Sequence, residues 1–509
     1  MGRTLRFRKD GTFRVLQLAD IQDGPVVSPD TIRLIDEAIA QADPDLVVLT
    51  GDQIRGYDPA FAEYYVNRQG DTPGTAQPVG SRIERWLTRG YGDVRTQWWR
   101  RVNVPDADGQ DAHDRATQKV RATIDAFLEP IVRRGIPFAV TYGNHDFQCG
   151  LTLDEQDAIY RSYEGCMNPP TPVAAAPPNA EDSPSRETRG DDGSHAVPRR
   201  IDRSTMGTMG TWLAHAAVSR FSSLRRKVNQ QVVHQWNRLT GQHEGDPLSY
   251  ESGTFAVPIE ASRGDGHAMA VVLVNSGDYE PGGGYGSPSQ GAVAWLGSAM
   301  DALSHNRPGR LPAIAFQHIP APEIYDCLKP VSRFTANGIR GYRKFSDRVF
   351  VVNRRLCRPG STMSERPCCG ETNTGEVQAM RQAGGYFALF AGHDHSNTFI
   401  GDIGNFELGY APTAGFTSYG PKAADRALRL FVFHEHNPAN YETKLLTYGD
   451  LVGHMPTRPM RVLFGETMVA DLSSIGNWLR NAKVRAVLGA AATFFVSSRL
   501  LRWIGKRHG

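Results

Sequence analysis

Short apolar runs alternate along the chain with amphipathic stretches, and several of the runs end abruptly in an acid or an imidazole. FRVLQLAD and DLVVLTGD are the first two. Between them lies a helical pattern with Ser28 as N-cap, Pro29 at the first helical position, and Ile32, Ile35, Ile39 and Ala42 along one face. This reads as a β-α-β unit that delivers a carboxylate at the end of each strand. A second helical pattern near Gln118 to Arg134 aligns Val120, Ile124, Phe127, Leu128 and Ile131, with Pro130 expected to kink it. It leads into the strand IPFAVTYGNHD. Further strands are predicted at GTFAVPI, MAVVLVNSGD, LPAIAFQHI, YFALFAGHDH and LRLFVFHEH, with a helix around Gln290 to Ser304. Strands alternating with helices predict an α/β sandwich.

Two stretches interrupt the pattern. Tyr57 to Thr117 holds Trp86, Trp98 and Trp99 with few strand signals, which predicts an ordered excursion over one end of the sheet. Met167 to about Arg203 is dominated by Pro, Ala, Ser and mixed charge, a composition that buries too little apolar surface to offset its ordering entropy, and is expected to be disordered. Trp212 to Thr240 reads as a basic, solvated insertion helix. The division that follows is one domain over residues 1–464, with insertions at about 57–117 and 165–247, and a helical tail over 465–509. In the tail, Ala486 to Ser498 is apolar and Arg499, Arg502, Lys506 and Arg507 follow. Thirteen helical residues span about 20 Å, short of a hydrocarbon core of about 30 Å, so a docked or interfacial helix with weak membrane-surface contact is expected rather than a spanning one.

Composition narrows the class. A hydrophobic fraction of 40% in 509 residues permits a sizeable core. Lys and Arg number 57 against 54 Asp and Glu, scattered rather than striped, so no nucleic-acid surface is expected. The first residues run directly into a strand pattern without a signal-peptide core, so the six cysteines are expected to be reduced thiols in the cytoplasm. Cys357, Cys368 and Cys369 lack a CxxC pair and are read as plain thiols rather than a zinc site.

Five motifs fall where strands meet loops: Asp20 in LADIQ, Gly51-Asp52, Gly143-Asn144-His145-Asp146, His318 in AFQHIP, and Gly392-His393-Asp394-His395. Carboxylate, amide oxygen and imidazole suit Mn, Fe, Zn and similar ions, and two such ions form a clamp for phosphoryl chemistry. Each motif alone is weak; the ordered set is not. His434 and His436 alternate in a strand pattern but are read as surface residues. Ser276-Gly277-Asp278 and the Gly282 to Gly286 run are read as a flexible rim.

The ordered set resembles the calcineurin-like metallophosphoesterase superfamily, whose signature runs D-x-H, G-D-x, G-N-H-[DE], a lone His and G-H-x-H. Flanking stretches such as NSGDYEPGGGYG, AFQHIPAPE and GYAPTAGFTSYG are similar to its purple-acid-phosphatase-like branch. The resemblance implies a four-layer α/β/β/α sandwich with long insertions. It implies two divalent or trivalent ions (Mn, Fe or Zn), the first held by Asp20, Asp52 and His395. Asp52 would bridge to the second, held also by Asn144, His318 and His393. It further implies that His145 faces a phosphorylated substrate as the catalytic imidazole while hydroxide on the metals attacks phosphorus, and that Asp146 orients a neighbouring imidazole or caps a helix. The implied reaction is hydrolysis of a phosphomonoester. Phosphodiester or nucleotide pyrophosphate hydrolysis is the nearest alternative, and a catalytically weak metal-binding scaffold the alternative of another class. Two positions depart from the pattern. Gln22 stands where the first-metal His belongs, a neutral and weaker ligand if it coordinates. Arg55 stands where purple acid phosphatases carry Tyr, and Tyr57 is out of register, so no purple colour is expected. Asp23 remains a candidate substitute ligand.

Overall fold

The structure is a computed structural model that describes residues 4–78, 81–82, 112–170, 246–459 and 485. β1 (Leu5–Arg6) and β2 (Thr12–Leu18) lead into α1 (Pro29–Ala42), β3 (Leu46–Thr50), α2 (Ala112–Arg133), β4 (Phe138–Thr141) and α3 (Leu153–Arg161). Then come β5 (Ser249–Glu251), β6 (Thr254–Glu260), β7 (His267–Leu273), α4 (Gln290–Leu303) and β8 (Ala313–Phe316). Three short strands follow, β9 (Leu328–Val331), β10 (Ile339–Arg340) and β11 (Val349–Val352). α5 (Glu376–Ala383), β12 (Tyr386–Ala391), β13 (Ile400–Asp402), β14 (Glu407–Tyr410), β15 (Ala427–His434) and β16 (Glu442–Thr447) complete the order.

One sheet has the order β16-β15-β2-β3-β4, in which β2, β3 and β4 are parallel. The other runs β1-β6-β7-β8-β12-β14-β13, with β5 added on β6 and β7, β8, β12 and β14 parallel. Alternation along the strands makes the layers. Val15, Leu46 and Val48 meet Phe255, Val271, Ile314 and Phe390 between the sheets. Leu16, Val47 and Leu49 point the other way, under Leu34 and Ile35 of α1 and Val120 and Ile124 of α2. Val272, Ala315 and Leu389 likewise lie beneath Leu296 and Met300 of α4 and Val377 and Met380 of α5. Central strands buried on both faces are continuous apolar runs, as LVVLT of β3 shows. The arrangement is the four-layer α/β/β/α sandwich.

Local chemistry sets the boundaries. The Ser28 side chain accepts from the Asp30 amide and Pro29 opens α1. α2 begins at Ala112 and runs through Pro130 to Arg133, so the excursion after Tyr57 ends before Ala112 rather than at Thr117. Its described part, residues 57–78 and 81–82, holds turns, one short 3₁₀ segment, Pro59–Phe61, and a helical pair at 81–82; Trp86, Trp98 and Trp99 lie outside the described residues. Met167 and Asn168 are held, contrary to the disorder expected from Met167 onward. The Met167 amide donates to Phe138 O (2.8 Å), and the Asn168 side chain exchanges two hydrogen bonds with the Val140 backbone. The 212–240 segment and the tail, Arg485 excepted, lie outside the described residues. Among the described residues no helix is long and apolar enough to cross a membrane. All six cysteines are free thiols.

Candidate metal centre

The parallel strands of both sheets end on the same side of the sandwich. Asp20 follows β2, Asp52 follows β3, Asn144 and His145 follow β4, His318 follows β8, and His393 and His395 follow β12. The ligand atoms of Asp52, His318 and His393 lie within 4.8 Å of one another, all buried. His318 Nδ1 is 3.0 Å from Thr50 O and donates its proton there, which turns the Nε2 lone pair toward Asp52 Oδ2 (3.3 Å), Asn144 Oδ1 (3.2 Å) and His393 Nδ1 (3.2 Å). Across the centre, His395 Nδ1 donates to Tyr419 O (2.7 Å), leaving Nε2 facing Asp20 Oδ1 at 3.3 Å. That carboxylate oxygen is buried and accepts no hydrogen bond. Lone pairs converging on lone pairs, with one oxygen orphaned, are the donor set of a cation site. The residues fit the ions that the motifs imply.

The backbone is shaped for this. Asp20, Gln22, Asp52 and His393 all have positive φ (54°, 39°, 52° and 71°), a conformation costing each non-glycine residue about 1–3 kcal/mol. Neighbours within the centre hold them there: the His393 amide donates to Asp20 Oδ2 (2.9 Å) and the Asp52 amide to Asp146 Oδ2 (2.8 Å). Gly392 is needed for room, since a Cβ there would stand 2.9 Å from Asp20 Oδ2.

The sequence profile of the calcineurin-like phosphoesterase family matches residues 13–250. The match covers just under half of the chain, which over that span resembles the family. The chain is similar to the probable inactive purple acid phosphatase 29 of Arabidopsis thaliana, 26% identical over 132 residues, which is 26% of this chain and 27% of that protein. It thus spans about a quarter of that relative's length. Among solved structures it is similar to a dimetal phosphatase from Danio rerio at 10% identity, covering 86% of this chain and 99% of that one with a TM-score of 0.35.

Several residues of the site sit differently from expectation. Asp146 touches no imidazole and caps no helix with its side chain. Its carboxylate accepts from the backbone amides of Asp52, Ile54 and Gly143 (2.8, 2.9 and 2.7 Å), tying two ligand loops together. Gln22 presents its amide nitrogen, not its oxygen, to the centre, donating to Asp52 Oδ2 (2.7 Å), while Tyr57 donates to Gln22 Oε1 (3.4 Å). Asp23 is turned to the start of α1, accepting from the Ser28 amide (3.0 Å) and Thr31 Oγ1 (3.3 Å). His434 closes β15 but His436 lies in the turn beyond it, so the two do not share a strand face.

Other residues enter the site without having been singled out. The loop read as a rim supplies Tyr279, whose hydroxyl accepts from Asn144 Nδ2 (2.7 Å) and so turns Asn144 Oδ1 inward, and Tyr285, whose ring is 4.2 Å from that of His393. Tyr419 stacks on His395 at 4.0 Å, and its hydroxyl donates to Glu365 (3.0 Å). The Gly-rich stretch was the available signal for the first two; Tyr419 lies in GYAPTAGFTSYG, read only as a flanking similarity.

Electrostatics agree with a cation-seeking pocket. Burial alone would lower the His318 pKa, but the Asp52 carboxylate overrides it and pushes His318 up to about 9. Burial and then the neighbouring His318 drive His393 well below the ordinary imidazole value. A buried carboxylate that draws a proton onto one imidazole while a second stays neutral equally draws a metal ion. His145 is the partly exposed member of the set. Its Nδ1 is 2.7 Å from Gln148 Oε1, its amide donates to Asp52 Oδ1 (2.8 Å), and the Tyr57 ring lies edge-on at 4.7 Å.

Proposed function

We propose that the protein is a metal-dependent phosphoesterase acting on a phosphomonoester. One observation carries the reading: a partly exposed imidazole, His145, stands over a buried three-ligand cluster with its second nitrogen uncommitted. Asp52, Asn144, His318 and His393 would hold one ion, and Asp20 and His395, with Asp52 shared, the other. Such ions supply Lewis-acid stabilisation of the charge on phosphoryl oxygens and activate water. The chain's own residues do the rest. Gln148 Oε1 accepts from His145 Nδ1–H and fixes the ring, so that a proton at Nε2 meets the leaving oxygen. Tyr57 limits rotation of the same ring. Asp146 keeps the loops bearing Asp52 and Asn144 in register through three amides. The six free thiols support a reducing compartment, the cytoplasm.

A second reading is a catalytically weak metal-binding scaffold. It is favoured by the amide of Gln22, which gives Asp52 a neutral hydrogen bond where the family signature has imidazole, and the Arabidopsis relative's name points the same way. The two separate in one experiment. Purified protein is analysed for Mn, Fe and Zn and assayed against phosphomonoesters, phosphodiesters and nucleotides. Turnover of a monoester that falls about 10² to 10⁴-fold in His145→Ala, at unchanged metal content, supports the enzyme. Preference for a diester or pyrophosphate changes the substrate class, and absence of turnover in metal-loaded protein leaves the scaffold.

A further inference from the structure

The net charge of +3 for the whole chain conceals a local excess: residues 328–358 carry nine Lys and Arg against one Asp. These residues form the antiparallel sheet β10-β11-β9 and its connections. Its inner face, through Leu328 and Phe350, joins the core beneath α4 and α5. The register puts Lys329 opposite Val351, and both Val331 and Arg340 opposite Val349, so Lys329 and Arg340 share the outer face. Because Val331 and Arg340 both flank Val349, the connections 332–338 and 341–348 leave from the same end. Between them they carry Arg333, Arg343, Lys344 and Arg348. Eight of the nine cations are exposed; the ninth, Arg358, is half-buried and makes two hydrogen bonds to Glu407 (2.7 and 2.6 Å). Arg343 pairs with Glu371, and Arg348 with Asp347, whereas Lys329, Arg333, Lys344, Arg354 and Arg355 pair with no described carboxylate. Like charges gathered in this way repel one another unless a polyanion meets them.

The apolar side chains of the patch decide which polyanion. Phe334, 69% exposed, stands at the turn with the Arg333 guanidinium 4.9 Å from its ring, and Leu356, 38% exposed, follows Arg354 and Arg355. An isolated ring among cations suits the headgroup region of a bilayer, where the ring enters the interface and the cations meet lipid phosphates. A single-stranded nucleic acid calls for a groove lined by successive stacking rings. The next two aromatics are instead packed against other rings, Tyr342 beside Tyr285 at 5.5 Å and Phe345 stacked on Tyr325 at 3.8 Å. Arg485 donates to Phe334 O (2.9 Å), so the residue just before the apolar run 486–498 meets the same turn. We propose that this basic face docks the protein on a bilayer containing anionic phospholipid.

The test is vesicle flotation of the full-length protein. Binding to phosphatidylcholine vesicles is expected only when phosphatidylserine is added, and is expected to weaken with salt. Replacing Lys329, Arg333, Lys344, Arg354 and Arg355 together by Ser should weaken it by about 10-fold or more at unchanged melting temperature, the C-terminal tail being intact. Should that variant not fold, Arg333→Glu with Phe334→Ser, both in the exposed turn, reads the same loss. Flotation of either folded variant equal to wild type overturns the proposal. So does equal binding to phosphatidylcholine alone, or retention of the protein on heparin or single-stranded DNA without flotation.

Discussion

The two halves of the centre draw on the same kinds of side chain and reach different degrees of completion. Around His318, a carboxylate and two imidazoles come within 4.8 Å, with Asn144 turned toward them by Tyr279. Around His395 a single carboxylate faces a single imidazole at 3.3 Å, and the third position is Gln22, whose amide hydrogen goes to Asp52 Oδ2, the oxygen that also faces His318. The difference is one of charge and direction. An N–H donor on Asp52 competes with a cation for the same lone pair, whereas an imidazole in its place would add a ligand. On the proposed reading the His318 half has the more complete donor set, and the Asp20–His395 half lacks a third ligand where Gln22 offers an N–H.

Asp52→Asn strikes both halves at once and should have the largest effect. Loss of a residue that only hydrogen-bonds a metal ligand already costs about 10- to 100-fold in metal affinity or activity, so loss of the Asp52 carboxylate itself should cost more than about 100-fold in both. Near wild-type metal content in that variant would remove Asp52 from the centre. Gln22→His tests the asymmetry itself. Elemental analysis and metal titration should show a gain of binding confined to the Asp20–His395 half, while Gln22→Ala should alter affinity only slightly. Equal affinities in all three proteins would mean that the Gln22 hydrogen bond does not compete with an ion and that an imidazole at this position cannot reach one, so that the halves differ for another reason. The smallest effect concerns the wall behind His318. Glu376 opens α5, fully enclosed, with Gln317 Nε2 3.3 Å from its Oε1, and burial pushes its carboxyl from 4.5 up to about 8. The folded chain thus keeps a proton that the unfolded chain has lost, and this carboxyl lowers stability progressively as pH rises from about 4.5 to about 8. Glu376→Gln should leave the melting temperature near wild type at pH 4 and raise it by a few degrees, roughly 2–4 °C, at pH 8, with metal content unchanged. A lowered value at pH 8 would show that the ionised carboxylate is used.

The sandwich was legible because its central strands are uninterrupted apolar runs ending in short polar motifs, and because Ser28-Pro29 marks a helix start by chemistry alone. The strand-end acids and imidazoles could be read for the same reason: parallel strands bring their carboxyl ends to one side whatever their order in the sheet. Gln22 was visible as a departure, yet which end of its amide faces Asp52 depends on Tyr57, thirty-five residues away. Asp146 could not be assigned because its partners are backbone amides, which leave no trace in side-chain identity. Tyr419 acts through its carbonyl and ring face, equally silent. The basic face was missed for a different reason. Its strands are two to four residues long, too short to show a period, and charge averaged over the whole chain hides nine cations in one small sheet.

Asp20 accepts a hydrogen bond from an amide 373 positions further along the chain, and β2 is bordered on one side by β15, near the end of the described fold. At synthesis rates of about 5–20 residues per second, a nascent chain displaying Asp20, Asp52 and Asn144 waits on the order of 13–50 s for the imidazoles that complete the centre. Until then β2 is an open sheet edge and the acids have no counter-ligands. Residues 13–250, the span that carries the family profile, leave β2 without its β15 neighbour and hold none of His318, His393 and His395. An ion that needs ligands from both sheets would be held only after both have closed.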